Sequence, residues 1–190
     1  MKYDVILAGV GGQGVLSVAA IIALGAMKQG LHVKQPEVHG MAQRGGAVQA
    51  HLRISNGSIP SDLIGLGRAD MILSMEPLES LRYVQFLQPE GVLITSQNPY
   101  ENIPNYPDRE RVLTDIRKVP NHHIVDAASF AKEAGSARAT KMVMVGAASV
   151  SLPVEEKNLR AAIEELFALK GEKVITINRD AFSLGARSIG

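Results

Sequence analysis

The sequence predicts an α/β fold: a sheet with mixed strand directions, helices on both of its faces and a helical C-terminal part. Three observations carry that prediction. An apolar run of strand length, residues 3–8, opens into the glycine-dense turn Gly9-Val10-Gly11-Gly12-Gln13-Gly14 and then into an alanine-rich helical stretch, residues 15–27. Further short apolar runs alternate with helical stretches along the chain, the pattern of a layered α/β molecule. The connection from Val38 to Ala47 between the second and third predicted strands is too short for a helical crossover, which takes a dozen residues or more. Those two strands therefore do not form a standard parallel βαβ pair, a departure from a plain Rossmann half.

The elements follow in order. Gly30 is placed to stop the first helix. Leu31-His32-Val33-Lys34-Gln35-Pro36-Glu37-Val38 alternates as a second strand, and Ala47-Val48-Gln49-Ala50-His51-Leu52-Arg53-Ile54 has period 2 as a third. Asn56-Gly57 marks a turn, and residues 69–74 read as a buried fourth strand. Residues 76–88 read as a helix with Pro77 in its first turn, ended by Pro89-Glu90-Gly91. Residues 92–95 give a fifth strand. Pro99, Pro104 and Pro107 make 98–107 an irregular loop. A short helix over 108–117 and a sixth strand over 123–126 come next. A small-residue helix is expected over 137–149, with Ala137, Ala139, Gly146, Ala147 and Ala148 suited to close packing within the chain or at a subunit interface. An amphipathic helix starts at Pro153 and stops at Gly171, with Leu159, Ile163, Leu166 and Phe167 on its apolar face and Glu155 and Glu156 at the positive end of its dipole. Val174-Ile175-Thr176-Ile177 reads as a late strand. No internal repeat or low-complexity segment interrupts the pattern, so residues 1–190 read as a single domain.

Composition narrows the function. The chain has 190 residues, a net charge of +1, 46% apolar and 21% charged residues, an ordinary globular mixture of one-domain size. With no cysteine it cannot hold a disulfide framework, a thiolate zinc site, a Cys-ligated iron–sulfur cluster or a cysteine nucleophile. Near-neutral charge and only four Phe and four Tyr give no reason to expect nucleic acid. The longest apolar stretch, residues 142–150, is far below the ~20 residues that span a bilayer. The N-terminus begins directly with a strand-like run and no basic leader region, which predicts a soluble, cytoplasmic protein without a membrane partner.

Two segments carry the chemistry. Gly9, Gly11 and Gly14 fit G-x-G-x-x-G between a strand and a helix, where free N–H groups at the helix start attract an anion such as a phosphate. The same turn also serves a tight strand-to-helix crossing that binds nothing. A dinucleotide needs an acid about 20 residues further on. Glu37 is the nearest, but Pro36 and the short connection after it are wrong for that role. The second segment, His39-Gly40-Met41-Ala42-Gln43-Arg44-Gly45-Gly46, lies just beyond a strand, where α/β sheets place ligands. Arg44 beside two glycines suits a phosphate or carboxylate, with Gln43 and His39 adding neutral hydrogen bonds. A solvated Arg on a hairpin loop fits the same residues. No Lys-Ser/Thr follows Gly14, so the turn is not a P-loop, and no G-x-S-x-G elbow occurs. The five histidines, His32, His39, His51, His122 and His123, show no metal-ligand spacing. No catalytic residue and no metal ligand is expected in this chain. Met41, Met71, Met75, Met142 and Met144 read as core filler or a flexible interface.

The glycine turn at the chain start, followed by Glu37-Val38-His39-Gly40-Met41-Ala42-Gln43-Arg44-Gly45-Gly46, resembles the gamma subunit of 2-oxoacid:ferredoxin oxidoreductases, most closely the small (beta) subunit of the indolepyruvate type. The likeness continues through Ala69-Asp70 to residues 140–146 and covers essentially the whole chain. It implies a share in the CoA-dependent oxidative decarboxylation of a 2-oxoacid (indolepyruvate, pyruvate or ketoisovalerate) with electrons passed to ferredoxin. It also implies that thiamine diphosphate and 4Fe-4S clusters sit on partner subunits, that coenzyme A is a co-substrate, and that the chain alone is inactive. Carried over by position, the cofactor-binding candidates are Gly9, Gly11, Gly12, Gln13, Gly14, Met41, Gln43, Arg44, Gly45 and Gly46, with Arg44 facing a phosphate or the substrate carboxylate. The rival readings are a stand-alone NAD(P)-binding oxidoreductase and a non-catalytic assembly module. Which 2-oxoacid is used, how many subunits assemble and whether the isolated chain forms a homodimer stay open.

Overall fold

The structure is a computed structural model and describes residues 1–36, 45–101 and 103–190. Its centre is a sheet of six strands, β1 (Lys2–Val10), β2 (His32–Lys34), β3 (Ala47–Ser55), β4 (Ala69–Ser74), β5 (Leu87–Ser96) and β6 (His122–Val125), in the order β2-β3-β1-β4-β5-β6. Strands β1, β4, β5 and β6 run parallel, while β3 pairs antiparallel with both β1 and β2. β1 lies between β3 and β4, and its residues from Asp4 onward are buried, which is why it reads as an unbroken apolar run rather than an alternating one.

Alternation within the strands divides two helical layers. Val5 and Leu7 of β1, with Met71, Leu73, Val92 and Ile94, face one core shared with α1 (Val15–Lys28), α4 (Ala127–Glu133), α5 (Thr140–Ser149), α6 (Glu156–Phe167) and α7 (Glu172–Arg187). Ile6, Ile72 and Leu93 face a smaller core with α2 (Pro77–Arg82) and α3 (Arg109–Ile116). The expected mixed sheet with helices on both faces and a helical C-terminal part is what the chain forms. No described helix is long and apolar enough to cross a membrane.

Several boundaries differ from the sequence reading. Residues 174–177 belong to α7 and not to a strand: Asn178, Ala181, Phe182 and Gly185 form a buried stripe at helical spacing, and packing of that stripe overrides the β-branched run. The helix expected over 76–88 stops at Arg82 and gives way to a 3-10 turn over Val84–Phe86. Pro89-Glu90-Gly91 then lies inside β5, where the register jumps from Ala69↔Leu87 to Met71↔Val92. An irregularity of this kind leaves a residue without a ladder partner, so a proline fits there. The helix expected over 137–149 begins as a 3-10 turn, Ala137–Ala139, and β2 ends at Lys34. The small-residue stripe packs within the chain: a Cβ on Gly146 would lie 2.0 Å from the Phe182 carbonyl oxygen, and one on Gly185 would lie 1.9 Å from that of Val143. α5 and α7 thus touch backbone to backbone.

A buried ion pair fixes the end of the sheet where β1 begins. The Asp4 carboxylate is fully buried and accepts Nε and Nη2 of Arg53 at 2.9 and 3.0 Å, as well as Nζ of Lys2 at 2.7 Å. Arg53 Nη1 donates to the carbonyls of Ser61 and Leu63, holding the 61–64 segment against the sheet. Every group here has a partner, so the cluster is architectural.

Candidate anion-binding site

The C-terminal ends of the parallel strands form the opposite edge. At β1 and β4 the chain leaves the sheet towards different layers, α1 on one face and α2 on the other. Ligands of open α/β sheets settle in that kind of crevice. A hollow of about 380 Å³ lies there, walled by Gly12 and Gln13 after β1, Met75 after β4, Ser96, Asn98 and Pro99 after β5, and Ala127, Ala128, Arg138, Thr140, Lys141 and Met144.

The glycine turn divides its labour. Gly12 has φ +103° with open space where a side chain would go, so its backbone faces the hollow. Gly14, at φ +80°, caps α1 and lies against Lys141, whose Cδ would be 2.5 Å from an added Cβ. The N–H groups of Gly12, Gly14, Val15 and Leu16 have no acceptor among the described residues, the usual condition of a helix start. Gly9 is a packing position, crowded by Val15 and Met75. Gln13 is a staple: its Oε1 accepts the Val10 N–H at 2.8 Å and its Nε2 donates to the Met75 carbonyl at 3.3 Å. Gly11 donates its N–H to the Gly46 carbonyl at 2.8 Å, and Gly45 donates to the Gly11 carbonyl at 3.2 Å. The described end of the second segment, Gly45 and Gly46, therefore meets the glycine turn, and the β1–β3 ladder continues past Val10↔Ala47 into the turn. His39, Met41, Gln43 and Arg44 lie outside the described residues.

Three helix starts converge on the hollow: α1 through Gly12 and Gln13, α4 through Ala127 and Ala128, and α5 through Thr140 and Lys141. The α4 start is already capped, with the Ser129 N–H on the Asp126 carboxylate and the Ala128 N–H on Asn98, so the uncapped starts of α1 and α5 are the ones that offer a partial positive charge. Arg138 and Lys141 add two full charges, and neither side chain has a carboxylate partner among the described residues. Placing cations at a helix start is unfavourable by itself, so the arrangement favours an anion. The far wall is held from behind by Glu76. Its carboxylate caps α2 through the Glu79 N–H and accepts the Tyr100 N–H and the Tyr106 hydroxyl, tying down the loop that carries Asn98 and Pro99. Burial, and then the hydrogen bond to Glu76, push the Tyr106 hydroxyl above its ordinary range, so it stays a donor. Asn98 Oδ1 accepts the Ala128 N–H at 3.2 Å and locks β5 to α4. No group of three or more His, Cys, Asp or Glu suited to a metal occurs among the described residues.

Residues 4–188 match the family described as pyruvate ferredoxin/flavodoxin oxidoreductase. The chain belongs to that family. The indolepyruvate oxidoreductase subunit IorB of Archaeoglobus fulgidus is 37% identical, over 97% of this chain and 94% of that protein. Among solved structures, the 2-oxoglutarate:ferredoxin oxidoreductase from Magnetococcus marinus, with 2-oxoglutarate, coenzyme A and succinyl-CoA bound, superposes with a TM-score of 0.77 at 22% identity. The match covers 99% of this chain and 31% of that one. The keto/oxoacid ferredoxin oxidoreductase gamma subunit from Geobacter sulfurreducens superposes with a TM-score of 0.70 at 21% identity, over 98% of both chains.

For this member of the oxidoreductase family, sequence reasoning found the glycine turn but missed Arg138, Lys141 and Asn98. A signal for the cations was present. Ser136-Ala137-Arg138-Ala139-Thr140-Lys141 sets two positive charges at the start of a helix and no acid with them, the reverse of ordinary placement.

Proposed function

We propose that this chain is the small subunit of a multi-subunit 2-oxoacid:ferredoxin oxidoreductase of the indolepyruvate type, and that its hollow receives a phosphate group of coenzyme A. The convergence of the uncapped α1 and α5 starts with the unpaired Arg138 and Lys141 is the observation that carries the reading. The relatives' names supply the reaction class. A 2-oxoacid and coenzyme A give an acyl-CoA and carbon dioxide, and two electrons pass to ferredoxin. Thiamine diphosphate would supply the carbanion chemistry and iron–sulfur clusters the electron path. With no cysteine this chain cannot ligate a cluster, so the clusters fall to partner subunits. The thiamine diphosphate is assigned to those partners too, against which this chain packs in the cytoplasm. Its own part is to hold and orient the thiol donor through backbone N–H groups and two cations.

The test uses the complex co-expressed with its thiamine-binding partner. Arg138→Ala combined with Lys141→Ala should raise the KM for coenzyme A about tenfold or more, with kcat at saturating coenzyme A and the KM for the 2-oxoacid little changed. An unchanged KM for coenzyme A counts against the reading. Arg44→Ala should weaken use of coenzyme A or of the 2-oxoacid, and unchanged constants for both would remove Arg44 from the site. Tight binding of NAD(H) to the purified chain would favour a stand-alone nicotinamide enzyme instead.

A further inference from the structure

A second hollow, about 430 Å³, lies on the far side of Arg138 and Lys141, between residues 136–141, the 3-10 turn Ala168–Lys170 and α7. It shares both cations with the first hollow, so the two are neighbours along one positively charged ridge. Lys170 adds a third cation, again with no carboxylate partner among the described residues. Phe167 and Ile177 supply an apolar wall. Asn178 is only 7% exposed and also lines this space. Its Nδ2 donates to the Val174 carbonyl at 2.7 Å, while its Oδ1 accepts from no described donor. No described side-chain oxygen is both buried and unpartnered, so this amide oxygen is open to the hollow and available to a donor from a ligand.

We infer that this second hollow holds the nucleotide end of the same coenzyme: its base between Phe167 and Ile177, the exocyclic amine donating to Asn178 Oδ1, and the ribose phosphate on Lys170. This rests on the coenzyme A reading above and extends it to a part of the ligand some distance from the thiol. A flat ring answers the apolar wall, an amine the lone acceptor and a phosphate the unpaired cations. A volume near 430 Å³ lies within the usual range of about 300–1,000 Å³ for small-molecule sites.

The co-expressed complex tests the assignment by its KM for three thiol donors: coenzyme A, its 3′-dephospho form and an analogue with hypoxanthine in place of adenine. Lys170→Glu should raise the KM for coenzyme A about tenfold and shrink the preference for coenzyme A over the dephospho form. Lys118→Glu, on α3's layer and paired with Asp115, should change neither. The hypoxanthine analogue, which lacks the amine, should be used with a higher KM than coenzyme A by the wild-type complex. If coenzyme A is used normally, Lys170→Glu changes nothing and the analogue equals the parent, this inference fails while the reading of the first hollow stands. If the complex shows no dependence on coenzyme A, that reading fails as well. If Lys170→Glu instead prevents co-purification with the partner, the hollow is a protein interface and the nucleotide assignment is overturned.

Discussion

A methyl group on Gly14 would sit 2.5 Å from Lys141 Cδ, on a backbone whose φ of +80° side chains rarely adopt. Gly14→Ala should therefore destabilise the chain by about 1–2 kcal/mol through backbone strain and also displace Lys141. Gly12→Ala meets the same strain with nothing in contact. Urea denaturation should show a similar loss for both, and both should raise the KM for coenzyme A, Gly14→Ala by moving a cation and Gly12→Ala by setting a methyl group in the hollow that its backbone lines. A KM unchanged in Gly14→Ala would separate Lys141 from ligand binding. At the sheet's other end, Arg53→Leu should cost about 3–5 kcal/mol, because Asp4 would keep a fully buried charge with only Lys2 beside it. Residue by residue, the sequence announced the groups whose partners lie close by. The glycine turn was legible because G-x-G-x-x-G is a local pattern. Arg138 and Lys141 show in the sequence only as cations at a helix start; that they reach the glycine turn is set by packing of α5 against the sheet layer, more than a hundred residues later.

Between elements, the tightest constraint is the crossing of α5 and α7. Gly146→Ala or Gly185→Ala would drive a methyl to about 2 Å from an opposing carbonyl oxygen, and backbone cannot step aside as a side chain can. Either substitution should lower stability by about 3 kcal/mol, near the upper end for overpacking, and a melting temperature unchanged within error would disprove so close a crossing. The β3 strand carries a pH-sensitive contact. His51 Nδ1 accepts the Ile64 N–H at 2.9 Å, so it carries no proton in the fold. Burial, then the nearby Arg53 charge, lower its pKa, against a weaker opposing pull from Asp4. The unfolded chain thus binds more protons than the folded one as pH drops through the ordinary histidine value near 6.5. Stability should fall with acidification between about pH 7 and 5, and His51→Gln should flatten that dependence in thermal melts. Element types were legible wherever period and punctuation agreed, as in Asp108 capping α3 by accepting the Arg111 N–H. They were misread at 174–177 and 87–91, where a neighbouring helix or strand decides the conformation and no local residue does.

Across the molecule, charge is nearly balanced, yet the strand-end rim concentrates unpaired cations. Raising ionic strength shortens the Debye length from about 10 Å at 0.1 M to about 3 Å at 1 M. The KM for coenzyme A should climb with salt in the wild-type complex and climb less once Arg138 and Lys141 are both alanine. A salt-independent KM would mean that the ligand's phosphates never meet these side chains. The α/β class, the mixed sheet and the odd pairing of the second and third strands were all visible in the spacing of apolar runs. The position of the cationic rim was not, since it depends on how the last four helices stack. Because β3 runs against its neighbours, its first residue, Ala47, pairs with the last residue of β1, Val10, beside the glycine turn. A strand of nine residues laid the other way would have begun roughly 27 Å off, at a rise of about 3.4 Å per residue. Turning a single ribbon around is thus what brings Gly45 and Gly46 to the mouth of the crevice, and any ancestor with that ribbon flipped would have had to build the mouth from some other stretch of chain.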